Sequence, residues 1–187
     1  FSSLDFTAMN ITQLAECIPD FQNVQDACRF RDCIHVNEHD MKLMVERGTS
    51  VAHCVGSNMK AGKGIAPVKE MIEHGIAVGL GTDGPSSGNT LDLFTQMKIA
   101  VYAQKTHYKD RSLFKAQEIV KLATMGGAKA LKMDDRIGSL EVGKQADIVL
   151  IETDSVNMFP IYDPYSAIVY SANASNVDSV WINGTRV

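Results

Sequence analysis

The apolar run Ile76-Ala77-Val78-Gly79-Leu80 passes without a break into Gly81-Thr82-Asp83-Gly84. A short, nearly continuous apolar run bounded by glycine is the pattern of a strand buried on both faces, as in parallel sheets covered by helices. Parallel α/β folds carry their chemistry just beyond the C-terminal ends of their strands. Asp83 therefore stands where a carboxylate can act. Its glycine neighbours let a ligand approach the backbone closely, which suits a metal ligand or a catalytic base. The same tetrapeptide also reads as a strand end followed by an ordinary helix N-cap. Ser86, Ser87 and Asn89 follow on a short polar loop.

The surrounding sequence repeats the strand–loop–helix order. Residues 33–36 form a short strand candidate, and Asn37 is a good N-cap for a helix over residues 38–47. Met41, Met44 and Val45 lie on one face of that helix, and Gly48 stops it. Residues 50–55 read as the next strand and residues 56–64 as a polar, glycine-rich loop. A helix then runs from Pro67 to about His74, stopped by Gly75, and residues 76–80 are the third strand. Residues 90–104 are amphipathic, and residues 115–131 hold one or two further helices. Three such units with short connections predict parallel βαβ packing.

After Gly138 the texture changes. A turn region over residues 138–144 precedes strand patterns at 146–151, 167–170 and 177–182. Asn183-Gly184 then marks a two-residue hairpin into Thr185-Arg186-Val187. Residues 2–32 are the least legible, with helical spacing at Leu4, Ala8, Ile11 and Leu14 that Pro19 interrupts.

Composition narrows the function classes. The chain has 187 residues, 45% hydrophobic, with a formal net charge of -4. That suffices for a real core and about one domain. No basic stripe suggests nucleic acid, and no run approaches the ~20 apolar residues of a bilayer span. The first ten residues lack the basic start and apolar core of a signal peptide. Cys17, Cys28, Cys33 and Cys54 have no CxxC spacing, so reduced thiols in a cytoplasmic protein are expected. Cys28, Cys33 and His35 lack the partners of a zinc site. The methionines, among them Met41, Met44, Met59, Met71 and Met97, read as core filler. Gly126-Gly127 before Ala128 reads as close helix packing.

Four ordered motifs carry a resemblance: Ser57-Asn58-Met59-Lys60, Gly64-Ile65-Ala66-Pro67-Val68, Gly79-Leu80-Gly81-Thr82-Asp83-Gly84, and the segment from Ile137 to Asp147. Together they resemble the C-terminal half of amidohydrolase-superfamily enzymes. The subgroup they look most like comprises the methylthioadenosine/S-adenosylhomocysteine deaminases, atrazine-type chlorohydrolases and guanine deaminases. The resemblance implies an α/β fold: the C-terminal part of a (β/α)8 TIM-type barrel, its last three βα units, followed by a small, mainly antiparallel β-sandwich segment. It divides the chain into an unrecognised stretch at 1–32, a partial barrel at 33–137 and the sandwich segment at 138–187.

The implied activity is hydrolysis of a non-peptide carbon–nitrogen bond, deamination of a purine-like small molecule foremost. Asp83 matches the aspartate that binds a divalent metal and moves a proton in such enzymes; zinc is the expected metal, with iron or manganese as alternatives. Metal-bound water has a pKa lowered towards ~7, and a carboxylate beside it can carry its proton to the leaving nitrogen. Ser87 matches a substrate-contacting serine. His53 and Asn58 face the same mouth as candidate substrate contacts, although His53 read alone is equally a core-edge histidine with a satisfied hydrogen bond.

The departures are as informative. The chain has no His-x-His pair, no counterpart of the family's fifth-strand histidine and carboxylate, and Asp32 where the sixth-strand histidine belongs. His35 aligns with a second, non-catalytic histidine. A hydrolytic metal needs about three protein ligands, so the expectation is one wall of an active site and an inactive isolated chain. A barrel takes roughly 200 to 250 residues. A truncated product of a longer gene is thus favoured over a short protein that covers its open edge by homo-oligomerising. The alternatives kept open are triazine dechlorination, cyclic-amide hydrolysis and a catalytically dead half-barrel that serves binding or assembly.

Overall fold

The computed structural model describes residues 37–187. The expected helix in the N-terminal stretch, the strand at 33–36, and Cys17, Cys28, Asp32, Cys33 and His35 lie outside the described residues.

Helix α1 (Glu38–Glu46) buries Met41, while Val45, one turn further along the same face, is 44% exposed, so only the start of the expected apolar face is buried. Gly48, at φ +62°, takes the left-handed conformation that stops it. Strand β1 (Ser50–His53) follows, then helix α2 (Val55–Lys60), helix α3 (Val68–Glu73) and strand β2 (Ala77–Leu80). β1 and β2 pair in parallel, with His53 opposite Leu80. The predicted βαβ order is therefore present between them.

The glycine-rich stretch at 56–64 is not loop throughout. Val55 is 1% exposed and anchors a helical turn that carries the chain to Lys60. Ser86 and Ser87 likewise lie on a short helical turn, α4 (Pro85–Gly88), with proline at its start and left-handed Asn89 at its end. Met59 is exposed rather than core.

Helix α5 (Leu93–Tyr108) is the longest among the described residues, capped by the Asp92 carboxylate accepting from the Phe94 N–H at 2.8 Å. It buries Met97, Ala100, Val101 and Ala103. Helix α6 (Ala116–Lys121) runs through a π-helical turn (Leu122–Gly126) into α7 (Gly127–Ala130). The two glycines at that junction lie against β2. A Cβ on Gly79 would fall 2.7 Å from the Gly127 Cα, and one on Gly126 would fall 2.4 Å from the Val78 carbonyl oxygen. Small residues are required on both sides of this helix–strand contact.

The C-terminal part is a three-stranded antiparallel sheet of β3 (Ile148–Ile151), β4 (Val177–Ile182) and β5 (Thr185–Arg186), in the order β3-β4-β5. Asn183 and Gly184 both have positive φ and form the predicted hairpin turn. The strand expected at 167–170 is instead helical. Asp163 accepts from the Ser166 N–H at 2.8 Å and starts helix α8 (Pro164–Ser166), which continues as a π-helical turn over Ala167–Ser171. Tyr170 then stacks on Tyr102 of α5 at 6.0 Å between ring centroids. A capped helix start and packing against α5 prevail over strand propensity here. No helix among the described residues is long and apolar enough to cross a membrane.

Candidate active site

The parallel pair sends two connections out past the same strand ends. Gly81 extends the ladder, its N–H donating to the His53 carbonyl at 3.1 Å, and a Cβ there would meet the Cys54 Sγ at 2.9 Å. Beyond it the chain turns sharply at Asp83, which has φ +61°. That left-handed conformation is uncommon for any residue but glycine and is tolerated best by Asn and Asp. The Asp83 carboxylate is exposed and held from two sides. Oδ2 accepts from the Ser57 hydroxyl at 2.6 Å, and Oδ1 accepts from the Gly84 N–H at 2.6 Å. The Ser57 hydroxyl first, then the Gly84 amide, with smaller help from Ser87 and Lys63, hold its pKa below the ordinary carboxylate range. Asp83 is therefore held as the anion, the form that a base or a cation ligand must take.

Ser87 lies one helical turn on, close enough to contribute to Asp83, so these two expected residues do come together. Ser57 reaches them from α2. Lys60, three residues along that helix, donates its ammonium to the Ser87 carbonyl at 3.0 Å and to the Asn89 side chain. The motif Ser57-Asn58-Met59-Lys60 by itself assigns neither Ser57 nor Lys60 a role. Their i, i+3 spacing, which puts both on one face of a helical turn, was the available signal. Asn58 lies beside Ser57 on α2; its amide donates to the Cys54 carbonyl and its carbonyl accepts from Lys63, so its backbone helps close the turn. Gln96 also escaped the sequence reading. It is 1% exposed on α5, and its Oε1 accepts from the Gly56 N–H at 3.0 Å.

His53 is the last residue of β1, 3% exposed, and its Nε2 has no hydrogen-bond partner. Burial pushes its pKa down from 6.5 to about 4, because an imidazolium there would lose its hydration without gaining a counter-charge. His53 is thus a neutral imidazole with an unsatisfied ring nitrogen at a strand end.

A resident metal needs more than this. Among the described residues, no three His, Cys, Asp or Glu side chains gather to hold an ion. Asp83 supplies one oxygen donor and already shares its carboxylate between two hydrogen bonds. Residues 37–187 do not by themselves fit a hydrolytic metal.

Residues 8–187 match the amidohydrolase family. The chain belongs to that family. The match begins upstream of the motifs that carried the resemblance. Among curated relatives, the 5-methylthioadenosine/S-adenosylhomocysteine deaminase of Acetivibrio thermocellus is 43% identical over 155 residues, covering 83% of this chain and 36% of that protein. The enzyme of the same name from Thermoanaerobacter pseudethanolicus is 44% identical over 152 residues, covering 81% and 35%. Among solved structures, an adenosine deaminase from Xanthomonas campestris with bound zinc superposes with a TM-score of 0.77 at 37% identity, over 81% of this chain and 35% of that one. Atrazine chlorohydrolase from Arthrobacter aurescens complexed with zinc gives a TM-score of 0.75 at 26% identity, over 82% and 34%. The chain spans about a third of the length of the curated relatives it matches.

Proposed function

We propose that this chain is part of a hydrolase of non-peptide carbon–nitrogen bonds that deaminates a purine-type ring. The observation that carries the reading is the Asp83 carboxylate, ionised and doubly hydrogen-bonded just past the end of a parallel strand. Its relatives named as methylthioadenosine/S-adenosylhomocysteine deaminases favour an amino-substituted purine over other substrates.

In this reading the described parallel strands are the last two of a (β/α)8 barrel, within a partial barrel at 33–137. Residues 138–187 belong to a composite β-sandwich, and 1–32 precede both. Deamination replaces the ring amino group with oxygen: water adds to the amidine-like carbon, and ammonia leaves with an added proton. Asp83 takes a proton from the incoming water and returns it to the departing nitrogen, acting as base and then acid. Ser87 and Asn58 help to place the substrate, and the neutral His53 offers its free ring nitrogen to a polar group of the ring. The zinc of similar structures supports a metal-dependent whole enzyme, here in the cytoplasm, whose remaining donors lie outside residues 37–187. The isolated chain is accordingly inactive.

The test is a chimera in which residues 33–187 replace the matching third of the Acetivibrio thermocellus deaminase. Ammonia release from 5-methylthioadenosine is expected, falling about 10²–10⁴-fold in Asp83→Asn. A folded chimera that releases no ammonia, or an undiminished Asp83→Asn, contradicts the reading. A second reading, a binding module without catalysis, is favoured by the lack of a three-donor cluster among the described residues. It predicts a folded, silent chimera.

A further inference from the structure

The β2–α4 connection is an awkward piece of chain. Asp83 and Asn89 both have φ +61°, and between them Gly88 is so tightly folded back that a Cβ on it would lie 2.5 Å from the Thr82 carbonyl oxygen. Non-glycine residues keep left-handed conformations only where their surroundings over-determine them. The loop's own bonds are short-range: Ser87 and Gly88 N–H to the Gly84 carbonyl, and Asn89 N–H to that of Pro85. The α4 turn they close spans only Pro85–Gly88, too short to persist alone.

The outside support comes from α2. Ser57 donates to the Asp83 carboxylate at one end of the loop, while Lys60 donates to the Ser87 carbonyl and the Asn89 side chain at the other. These contacts join residues 26 to 29 apart in sequence, and all three involve a charged group on one side and a neutral one on the other. Helix α2 is itself fixed to the interior. The Gly56 N–H donates to the buried Gln96, and a Cβ at residue 56 would come within 2.8 Å of that side chain. The buried amide of α5, the glycine, and the Ser57/Lys60 face thus form one connected path to the catalytic loop.

We propose that Ser57 and Lys60 are positioning residues: α2 is a bracket, anchored on Gln96, that holds the Asp83–Asn89 loop in its strained conformation and so sets where the Asp83 carboxylate and the Ser87 hydroxyl point. This rests on the reading of Asp83 and Ser87 as site residues. Neither bracket residue need touch the substrate.

Amide hydrogen exchange on the full chain tests it, in the peptide covering 83–89, with the α5 peptide over 93–108 as internal reference. Losing one hydrogen bond to a charged group is worth about a tenfold change in a local opening equilibrium. Ser57→Ala and Lys60→Met are each expected to speed exchange over 83–89 about tenfold while 93–108 stays at its wild-type rate. Ser57→Thr, which keeps the hydroxyl, restores protection. Unchanged exchange over 83–89 in both variants, equal acceleration of 93–108, or a threonine variant no better than alanine overturns the bracket. The exchange readout does not depend on turnover. A protein that shows the bracket but whose chimera releases no ammonia refutes the deaminase reading alone; an active chimera without loop protection refutes the bracket alone.

Discussion

Acidification offers a direct test of His53. Its pKa is about 4 in the folded chain against 6.5 when unfolded, because burial disfavours the imidazolium. The unfolded chain therefore binds more protons than the folded one between those two values, and stability falls as pH falls through that window. Above about pH 6.5 the contribution is complete, and below about pH 4 nothing further is lost. Between about pH 7.5 and about pH 5, the two pKa values correspond to ~2 kcal/mol of lost unfolding free energy. Glu141, Glu152 and Asp163, whose hydrogen bonds lower their pKa values, begin from 4.5 or 3.8 and leave most of that window clear. Urea unfolding with a slope of about 1–3 kcal/mol per molar then places the midpoint roughly 1 M lower at the more acid pH. His53→Gln removes the titrating group, so its midpoint should depend far less on pH, whatever its absolute stability. A wild-type midpoint unmoved between the two pH values, or an equal drop in His53→Gln, would refute the claim that His53 is buried as the neutral form.

Two further predictions concern the scaffold. Gly79→Ala drives a Cβ to 2.7 Å from the Gly127 Cα, a backbone atom that cannot swing aside. It should cost about 1–3 kcal/mol or prevent folding, read as a lowered midpoint in thermal unfolding. Asn176 is 1% exposed and ties Glu152, Ser155, Asn157 and the Asn173 amide together at 2.7–3.0 Å. Asn176→Ala strands these partners and should cost about 2–4 kcal/mol in urea unfolding, whereas an unaltered midpoint would mean that the network carries no stability.

Much of this was legible because the signals are local. The run 76–80, bounded by glycine, reads as a short buried strand, and residues 77–80 form one with Val78 and Gly79 buried at its centre. Asn183-Gly184 between apolar segments fixed a hairpin through the positive φ that both residues take. The failures arise where local pattern is ambiguous. Ala167 and Val169 are buried and their neighbours half-buried, an alternation that imitates a strand, yet the Asp163-Pro164 start just upstream makes the segment helical. In α2, glycine and serine concealed a helical turn whose stability comes from burying Val55 and from the Gly56–Gln96 bond, 40 residues apart. The same distance effect hid the roles of Ser57 and Lys60: a motif shows which residues lie together in sequence, not which loop they grip. For His53, residue type left open whether its ring was satisfied, and only packing revealed the bare Nε2.

In the proposed enzyme Asp83 is one corner of a hydrolytic metal site whose other donors lie outside residues 37–187. Zinc content by elemental analysis tests it most directly, on the isolated chain and on the deaminase chimera, each with and without Asp83→Asn. Well under one zinc per isolated chain, about one per chimera, and loss of that zinc in the Asp83→Asn chimera are expected. A full equivalent of zinc on the isolated chain, or a chimera that keeps its zinc without the Asp83 carboxylate, would contradict it.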